Sequence, residues 1–457
     1  MNSKSIYTRL YALASGILLT FLFQTASAQQ SVKPLSLNEA ISLSIQNSKQ
    51  LRVSHAKVDE ANASLKTANE RQLPDVSVSG SYLRLLQPNI DMKLDLKGNN
   101  DGNTDPGTKT ENPKVNSAAY GIASVSVPIF SGMVIQSGKE SARYLAEAAR
   151  LDVDKDKEDV IQNTIAAYSN LYKAKAAVAL VQENIRQSDE RVKEFSNKEK
   201  NGLLARNDLL KAELQQSNYE LALMDAENNL KVANLNMDIM LGLPDNTMLE
   251  VDSTVFRVDK PVDSRGVAEF EQLAYQNRKD AAAIAAREKA ANAGIKGAKG
   301  EYFPSLAFTG GYIAADIPNV LTITNAVNAG IGLKYNLSSL WKAGSKVAGA
   351  KAQLAEVQAN EAKLVDGIHL EVYQSYENYL LSHKKMDTYV KAIEQSEENY
   401  RITKNKHDNN LATTTDLLDA DVANLQAHLN YAYAKADALV AYHKLLQASG
   451  ILDSDKK

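Results

Sequence analysis

The stretch LPDVSVSGSY at residues 73–82 decides the fold, because a related stretch, FPSLAFTGGY, occupies residues 303–312. Proline, glycine and tyrosine stand at the same spacing in both, 230 residues apart. Further along, Asp208-Leu209-Leu210 matches Asp416-Leu417-Leu418 at a shift of 208 residues. The first copy therefore carries 22 extra residues (230 minus 208), placed between residues 82 and about 125. A repeat of this length indicates two copies of one large module rather than a solenoid array.

Both stretches alternate apolar and polar residues with period two, which is typical of half-buried strands. The same alternation returns at residues 123–129 and 331–337. We therefore expect one β-hairpin in each repeat, at about 74–130 and about 304–337. The extra residues fall in the first hairpin's loop, 87–116, whose Asn, Asp, Gly and Pro content favours turns.

Long stretches without proline surround the hairpins, and their apolar residues recur every three or four positions. The pattern predicts a helix over 36–72, very long helices over 139–200 and 345–408, and helices over 208–241 and 416–449 that end at Gly242 and Gly450. At 1.5 Å per residue the longest would run roughly 90 Å, too long for a compact domain. Antiparallel coiled-coil hairpins, with their charged faces in solvent, fit these lengths.

The domain organisation follows from these patterns. Lys4 and Arg9 precede an apolar run and an Ala26-Ser27-Ala28 cleavage pattern, which predicts an exported protein. The predicted order is a signal peptide (1–28), a first repeat (29–243) with a tip at about 201–207, a connector (244–265), a second repeat (266–451) with a tip at about 409–415, and a tail (452–457).

Composition excludes several function classes. The sequence has no cysteine, which excludes disulfides, thiolate sites and a lipid-modified N-terminal cysteine. A formal net charge of -3 is too small a bias to indicate a nucleic-acid partner. None of the common nucleophile, phosphate-loop or metal-ligand motifs occurs, so we expect no enzyme activity, no cofactor and no metal.

Four strands cannot close a barrel alone, and an open edge in lipid would leave backbone groups without hydrogen bonds. If the strands span a membrane, the chain must oligomerise: two copies would give eight strands, and three would give twelve with room for an aqueous passage. A soluble sheet packed on the coils remains the alternative, although the sequence offers no second apolar layer to cover it.

The mature chain resembles the TolC-type outer-membrane efflux proteins. The resemblance rests on the two strand motifs quoted above, on Val127-Pro128-Ile129-Phe130-Ser131-Gly132, and on the helix openings at Asp208 and Thr415-Asp416. It implies a mainly α fold with a small β part: a homotrimer whose four strands per chain complete a 12-stranded barrel in the outer membrane, continued by an α-barrel of coiled-coil helices across the periplasm. It also implies a passive conduit for small molecules or polypeptides, with a periplasmic adaptor and an inner-membrane pump or secretion ATPase as partners.

The resemblance places a pore constriction at the periplasmic end. By position Asp416 and Asp419 match two aspartates that ring this constriction in the family. Six carboxylates in a trimer would repel each other, so we expect raised pKa values. N-terminal capping of the helix would by itself account for Asp416. Asp208 matches an acidic residue that pairs with an arginine on the other tip, but Ala412 stands at that arginine's place.

The two turns are the places where an adaptor meets the channel in the family. The predicted contact residues are, on the first and then the second tip, Gly202, Leu203, Leu204, Asn410, Leu411 and Ala412. A leucine on a polar turn suits a partner contact, but it also suits a hydrophobic contact that closes the turn. For the whole chain, the main rival interpretation is a periplasmic coiled-coil adaptor or scaffold without a pore. The cargo and the class of pump are not encoded in any pattern of the sequence.

Overall fold

The computed structural model describes residues 32–86, 115–245, 247–256, 263–318 and 320–452. The predicted signal peptide lies outside these ranges. So do residues 87–114 of the long polar loop, residues 246 and 257–262 of the connector, and residues 453–457 of the tail.

The same order of elements occurs twice. The helices are α1 Leu37–Asn47, α2 Lys49–Glu70, α3 Val134–Lys200, α4 Arg206–Leu241, α5 Val267–Asn277, α6 Lys279–Gly300, α7 Ser339–Asp408 and α8 Thr414–Ala448. The strands are β1 Val32–Leu35, β2 Asp75–Arg84, β3 Ser117–Phe130, β4 Met248–Val251, β5 Ser305–Ile317 and β6 Leu321–Lys334, and a 3₁₀ turn spans Ser253–Phe256. Helices of 11, 22, 67 and 36 residues in the first half correspond to 11, 22, 70 and 35 in the second. The predicted internal repeat is confirmed.

The helix predicted over 36–72 is two helices. Ser48 leaves the helical region, with φ -59° and ψ 118°, and its hydroxyl accepts a hydrogen bond from the N–H of Leu51 at 3.1 Å. The serine thus ends α1 and caps α2. Arg278 makes the same break in the second copy, with ψ 129°. Sequence reasoning missed both breaks because neither Gly nor Pro marks them.

The described residues form two compact units, and each unit takes segments from both repeats. The sheet unit comprises residues 54–86, 115–153 and 279–365, and the helical unit comprises 32–53, 154–278 and 366–452 apart from the gaps given above. Among the described helices, none is both long enough and apolar enough to cross a membrane.

The sheet unit contains a four-stranded antiparallel sheet in the order β2-β3-β5-β6. Its two faces differ as the alternation predicts. One row across the four strands is Val78, Ala123, Tyr312 and Val327, and a neighbouring row on the other face is Ser77, Ser124, Gly311 and Asn328. The apolar side chains of the edge strands are exposed, including Val76, Val78, Tyr82, Ile331 and Leu333. The described residues do not cover this apolar face.

The strands are longer than the sequence predicts. β3 begins six residues before the predicted strand at 123, and β6 begins ten residues before the predicted strand at 331 and ends three residues before its predicted end. The added part of β6 contains Ala326, Asn328, Ala329 and Gly330, which have weak β propensity. Pairing with β5 along this length holds these residues in the ladder.

The helices of the sheet unit follow the order of the strands that they join. Polar contacts connect α2 to α3 (Asn62 with Arg150), α3 to α6 (Asp152 with Arg287) and α6 to α7 (Glu301 with Lys346). The turn into α3 approaches the end of α6 closely. Gly132 has φ +60°, and a Cβ atom there would lie 2.2 Å from the carbonyl oxygen of Gly300. Glycine is therefore required at this turn.

The helical unit contains a large buried core and a two-stranded parallel sheet, β1 with β4, that sequence reasoning missed. Tyr168 of α3 holds this sheet to the helices: its hydroxyl donates to the carbonyl of Leu35 at 2.7 Å and accepts from the N–H of Asp252 at 2.8 Å. Burial raises the pKa of Tyr168 to about 12. The phenol therefore stays neutral at physiological pH.

A buried carboxyl group lies near the end of α4. Asp238 is fully buried; Asn234 donates to its Oδ2 at 2.9 Å, and its Oδ1 has no hydrogen-bond partner in the described part of the chain. Burial raises the pKa of Asp238 to about 6, and the negative charge of Asp245 adds to the increase. The folded protein therefore binds a proton at this carboxyl more tightly than the unfolded chain does.

The stabilising effect of this proton should appear below the folded pKa and be lost as pH rises through about 6. Because pH 5 is about one unit below that pKa, the side chain should contribute about 1.4 kcal/mol more to the free energy of unfolding at pH 5 than at pH 8. Asp238→Asn should remove this contribution, measured by denaturant unfolding at both pH values. Asp225→Asn, an exposed carboxylate on the same helix, is the control, and an unchanged pH dependence in Asp238→Asn would contradict the assignment.

Candidate functional site at the two helical hairpin tips

The predicted tips are two matching turns in the helical unit. In the first, the N–H of Leu203 donates to the carbonyl of Lys198 at 2.8 Å, and Gly202 has φ +72°. In the second, the N–H of Leu411 donates to the carbonyl of Lys406 at 2.7 Å, and Asn410 has φ +59°. Both turns are Schellman motifs with a left-handed residue that ends the long helix.

The leucines that follow the left-handed residues point into solvent. Leu203 is 75% exposed and Leu411 is 77% exposed, so neither makes the apolar contact that often closes such a turn. Leu204 instead packs against a buried cluster below the first turn. Ala412 is half-buried. The predicted contact residues are therefore not equivalent: Leu203 and Leu411 present apolar surface, whereas Leu204 supports the turn.

A small core holds the two tips together. Phe195, Leu209, Ala212 and Leu417 form it, one from each of α3 and α8 and two from α4. His407 of α7 is stacked on Phe195 with ring centroids 5.3 Å apart, and its Nε2 lies 3.3 Å from the hydroxyl of Thr414. All four helices of the hairpins therefore meet directly behind the turns.

Asp416 takes part in an N-terminal cap. Thr413 is the N-cap residue of α8, and its hydroxyl accepts from the N–H of Asp416 at 3.2 Å. The Asp416 carboxylate in turn accepts from the N–H of Thr413 at 2.9 Å and from its hydroxyl at 2.7 Å. This is a capping box in which Asp416 is the third residue rather than the cap. The hydrogen bonds from Thr413 lower the pKa of Asp416 in the single chain, opposite to the rise expected in a ring.

Asp419 lies one turn further along α8 and is exposed. Its spacing of three residues from Asp416 puts both carboxylates on neighbouring positions of the helix surface. The single chain thus presents two exposed acidic side chains at the start of α8, in the helix turns next to the tip.

A lysine connects the first tip to the second. The ammonium group of Lys211 lies 3.2 Å from Oδ1 of Asp208 on its own helix and donates to the hydroxyl of Thr415 on α8, also at 3.2 Å. Ala412, the position that the resemblance pairs with Asp208, carries no charge. The contact between the tips has its cation on the first hairpin and an uncharged acceptor on the second. Sequence reasoning did not identify Lys211.

A buried polar network crosses all four helices above the tips. Arg191 of α3 and Asp421 of α8 form an ion pair at 2.9 Å, with side chains only 7% and 3% exposed. Tyr219 of α4 donates to the same Asp421 oxygen at 2.8 Å, and Arg191 donates to the hydroxyl of Tyr400 of α7 at 3.0 Å. Each of the two hairpins contributes two members, so the network joins them.

The pKa values of Arg191 and Tyr219 in this network depend on their burial and on the nearby charge of Asp421. Burial opposes the charge of Arg191, but the hydrogen bond and charge of Asp421 raise its pKa above the ordinary value. Burial raises the pKa of Tyr219, and the charge of Asp421 raises it further. Tyr219 therefore acts as a neutral donor and Arg191 as a permanent cation.

The sequence did contain a signal for this network. Arg191 lies three residues after buried Ser188 and four before buried Phe195, and Asp421 lies four residues from both Leu417 and Leu425. A charged residue at core spacing on each of two helices predicts a buried pair. The pair belongs to no catalytic or metal-binding motif.

The comparisons with known proteins agree with this geometry. A sequence profile described as Outer membrane efflux protein matches residues 40–243 and 271–451, which are most of the chain. This chain belongs to the outer membrane efflux protein family. A comparison with curated proteins found no match.

Solved structures share the fold of this efflux protein at low sequence identity. CusC covers 94% of this chain and 95% of its own, with a TM-score of 0.76 and 16% identity. The CmeC outer membrane channel of Campylobacter jejuni covers 91% of this chain and 86% of its own, with a TM-score of 0.75 and 16% identity. The outer membrane protein VceC of Vibrio cholerae covers 91% and 96%, with a TM-score of 0.73 and 15% identity.

The family assignment decides between the two functions that the sequence left open. The chain is an outer membrane channel component of an efflux system, not a periplasmic adaptor or scaffold without a pore. Its family and fold are those of channels rather than of enzymes. The predicted fold class, with long coiled-coil helices, a small β part and an internal repeat, is confirmed.

Removing one member of the buried ion pair should lower the free energy of unfolding more than replacing both members does. Asp421→Ala leaves an uncompensated charge on Arg191 and should reduce the free energy of unfolding by about 3–5 kcal/mol. The double variant Arg191→Met with Asp421→Leu should show a much smaller decrease in the free energy of unfolding, because no buried charge remains. Thermal unfolding of the purified proteins measures both. Equal losses in the two variants would contradict the description of the network as a buried charge pair.

Proposed function

We propose that three copies of this chain form one passive conduit, with the β-hairpins in the outer membrane and the hairpin tips at the periplasmic end. One observation carries the proposal: among the residues that the structure describes, the sheet has two open edges, β2 and β6, and an apolar face that no segment covers. Open edges in lipid are costly because each unpaired backbone group lacks a hydrogen-bond partner. Joining β6 of one subunit to β2 of the next removes every edge, and three subunits supply twelve strands.

The conduit carries small molecules out of the cell, and an inner-membrane pump or ATPase supplies the energy. The chain sits in the outer membrane without a lipid anchor on cysteine, since it has no cysteine. The predicted repeats, 29–243 and 266–451, each give one β-hairpin to the barrel and one helical hairpin to the tunnel. Mass measurement of the purified, membrane-extracted protein tests the subunit number, and a monomer with a covered sheet would overturn the proposal.

Asp416 and Asp419 form the constriction of the tunnel, and Asp208 helps to hold it closed. Threefold symmetry turns the two exposed carboxylates into six around one mouth. The capping box orients Asp416, so capping and gating are compatible roles for that residue. The contact of Lys211 with Asp208 and Thr415 keeps the first tip beside the second. A ring of carboxylates selects cations and repels anions.

Conductance in planar bilayers tests the constriction. Asp419→Asn removes three charges without touching the cap and should lower the cation-to-anion permeability ratio on the order of two- to fivefold, since each charge ~7 Å away in water contributes about 0.6 kcal/mol before screening. Asp416→Asn should act in the same direction. Lys211→Gln keeps the ring but removes the exposed link, which is worth up to ~1 kcal/mol, so it should raise the open fraction by up to about fivefold.

Asp387→Asn on the exposed surface of α7, far from the tips, is the matched control and should leave conductance unchanged. The constriction is rejected if selectivity stays the same in both tip aspartate variants while the channels still insert and conduct.

The two turns are the docking points for a periplasmic adaptor protein. Leu203 and Leu411 offer apolar side chains on polar turns, flanked by Gly202 and Asn410, whose conformations fix the direction of each leucine. Leu204 packs against the buried cluster below the first turn, and Ala412 is half-buried in the second turn. An adaptor with apolar residues at the end of its own hairpin suits this surface.

Replacing both exposed leucines by aspartate should weaken adaptor binding by at least about tenfold, because each loses an apolar contact worth about 1–2 kcal/mol. Site-specific photo-crosslinking to the co-expressed adaptor from residue 200, an exposed position at the end of α3 beside the first turn, provides the measurement. Leu145→Asp, which changes an exposed leucine in the sheet unit, serves as the control. Unchanged crosslinking and efflux in the double variant would remove the turns from the docking surface.

A further inference from the structure

A buried histidine, His407, lies between the two tips. It stands in the last turn of α7, one residue before the helix ends, and is only 8% exposed. Its ring is stacked on Phe195 of α3, and its Nε2 lies 3.3 Å from the hydroxyl of Thr414, the first residue of α8. One imidazole therefore joins three of the four helices that meet behind the turns.

The other ring nitrogen of His407 is buried without a hydrogen bond. No group in the described part of the chain forms a hydrogen bond with Nδ1, although Oδ1 of Asp408 lies 3.8 Å away. A neutral imidazole has one donor nitrogen and one acceptor nitrogen, and the contact with Thr414 satisfies only Nε2 in either tautomer. A buried polar atom without a partner is destabilising. The neutral ring is therefore incompletely satisfied at this position.

A second proton would turn the unpaired nitrogen into a donor. In the charged ring both nitrogens carry hydrogen, so Nε2 donates to Thr414 while the N–H at Nδ1 faces the Asp408 carboxylate. A movement of about 1 Å would bring Nδ1 and Oδ1 of Asp408 to hydrogen-bond distance. Hydrogen bonds between charged groups are shorter and stronger than neutral ones. Proton uptake therefore adds a bond at the end of α7 and keeps the contact with α8.

Three features of the site favour the charged ring. The Asp408 carboxylate has the opposite charge, and the last carbonyl groups of α7 form the negative end of the helix dipole. The face of Phe195, 5.3 Å from the imidazole between ring centroids, also attracts a cation. Burial opposes the charge, but the Asp408 side chain is 45% exposed, so the pair borders on water.

The charged groups of α3 and α7 leave Asp408 available to the ring. Lys198 of α3 lies 4.0 Å from Asp408 and also pairs with Glu194 at 2.5 Å, so its charge already faces two carboxylates. The nearest basic residues of α7 before His407 are exposed, and water screens their charges. They are Lys404 and Lys406.

The charged groups of α4 and α8 near the turns have partners of their own or lie in solvent. Asp208 pairs with Lys211 at 3.2 Å, and the Asp416 carboxylate accepts hydrogen bonds from Thr413. Two further charged residues are exposed, Arg206 and Asp419. Asp408 is therefore the carboxylate that responds to a charge on His407.

We propose that His407 positions the second tip against the first and that its protonation strengthens this contact, so that the conduit closes more firmly as the pH falls from 8 to 6. Histidine is the side chain that ordinarily changes charge in this range. Parted tips would place the ring in water without Thr414 and Asp408 in fixed positions, so the proton favours the closed arrangement. The proposal rests on the conduit of the proposed function and adds a regulator distinct from the carboxylates at its mouth.

Recordings of the full-length protein in planar bilayers at pH 8 and pH 6 test this role. The open fraction of the unaltered channel should fall at least about threefold at pH 6, as expected for a partly buried cation at a helix C-terminus. His407→Gln keeps a donor for Thr414 but takes up no proton, so its open fraction should not fall. Asp408→Asn keeps the histidine and removes the carboxylate, and should reduce the fall.

The matched control is His428→Gln on α8. His428 also lies beside a carboxylate, that of Glu397 at 3.1 Å, but it is 14 residues beyond the start of α8. This variant should keep the pH dependence of the unaltered protein. The cation-to-anion permeability ratio should stay the same in His407→Gln, because the aspartates at the mouth are unchanged.

Hydrogen exchange at the backbone amides of residues 409–413 gives a second measurement that does not depend on conduction. After correction for the intrinsic effect of pH on exchange, protection in the unaltered protein should be at least about threefold higher at pH 6 than at pH 8. In His407→Gln the two values should be equal.

The inference is overturned if neither the open fraction nor the protection changes with pH, if both change equally in His407→Gln, or if the open fraction rises at pH 6. A protein that inserts into bilayers but conducts at neither pH would instead overturn the proposed conduit. The exchange measurement would then still decide the role of His407, so the two failures are distinguishable.

Discussion

The hydrogen-bonding requirement of the sheet edges constrains this structure more than any other interaction. Within the described ranges, β2 and β6 each have a strand on one side only, and the apolar side chains on one face of the sheet are exposed. In water such an edge invites aggregation, and in lipid it leaves backbone groups unpaired. Association of subunits would pair the backbone groups of the edge strands and would also prevent aggregation at these edges. Helix α4 also carries large exposed apolar side chains on one face that the other described residues do not cover.

The two repeats have kept the same elements while their tips have diverged in chemistry. The second hairpin begins α8 with the capping box of Thr413 and Asp416, whereas the first begins α4 at Ala205, which has no side-chain cap. The first tip contributes the lysine that reaches across, and the second contributes the acceptor and the two exposed aspartates. The two helical hairpins therefore share their architecture but present different chemical groups at their tips.

The sequence predicted the parts of the fold that arise from periodicity. The alternation at Val76 to Tyr82 and the long runs without proline identified the hairpins and the coiled coils, and Gly242 ended its helix as expected. The helix breaks at Ser48 and Arg278 were not predicted because the sequence has no Gly or Pro there. Strand β1 was not predicted because four residues are too few to show a period. At the site, Asp208, Asp416 and Asp419 came from family resemblance. Arg191 and Asp421 each stand at core spacing on their own helices, but which charged residues meet depends on contacts between distant segments, as does the contact of Lys211 with Thr415.

The buried pair of Arg191 and Asp421 also bears on how the two hairpins could part. Taking two charges out of water costs nearly as much as their attraction returns, so the pair adds little net affinity between the hairpins. When the hairpins separate, both groups recover hydration, and when they return, only one alignment lets Asp421 meet both Arg191 and Tyr219. Burial of these ions therefore contributes more to the alignment of the two hairpins than to the free energy that holds them together.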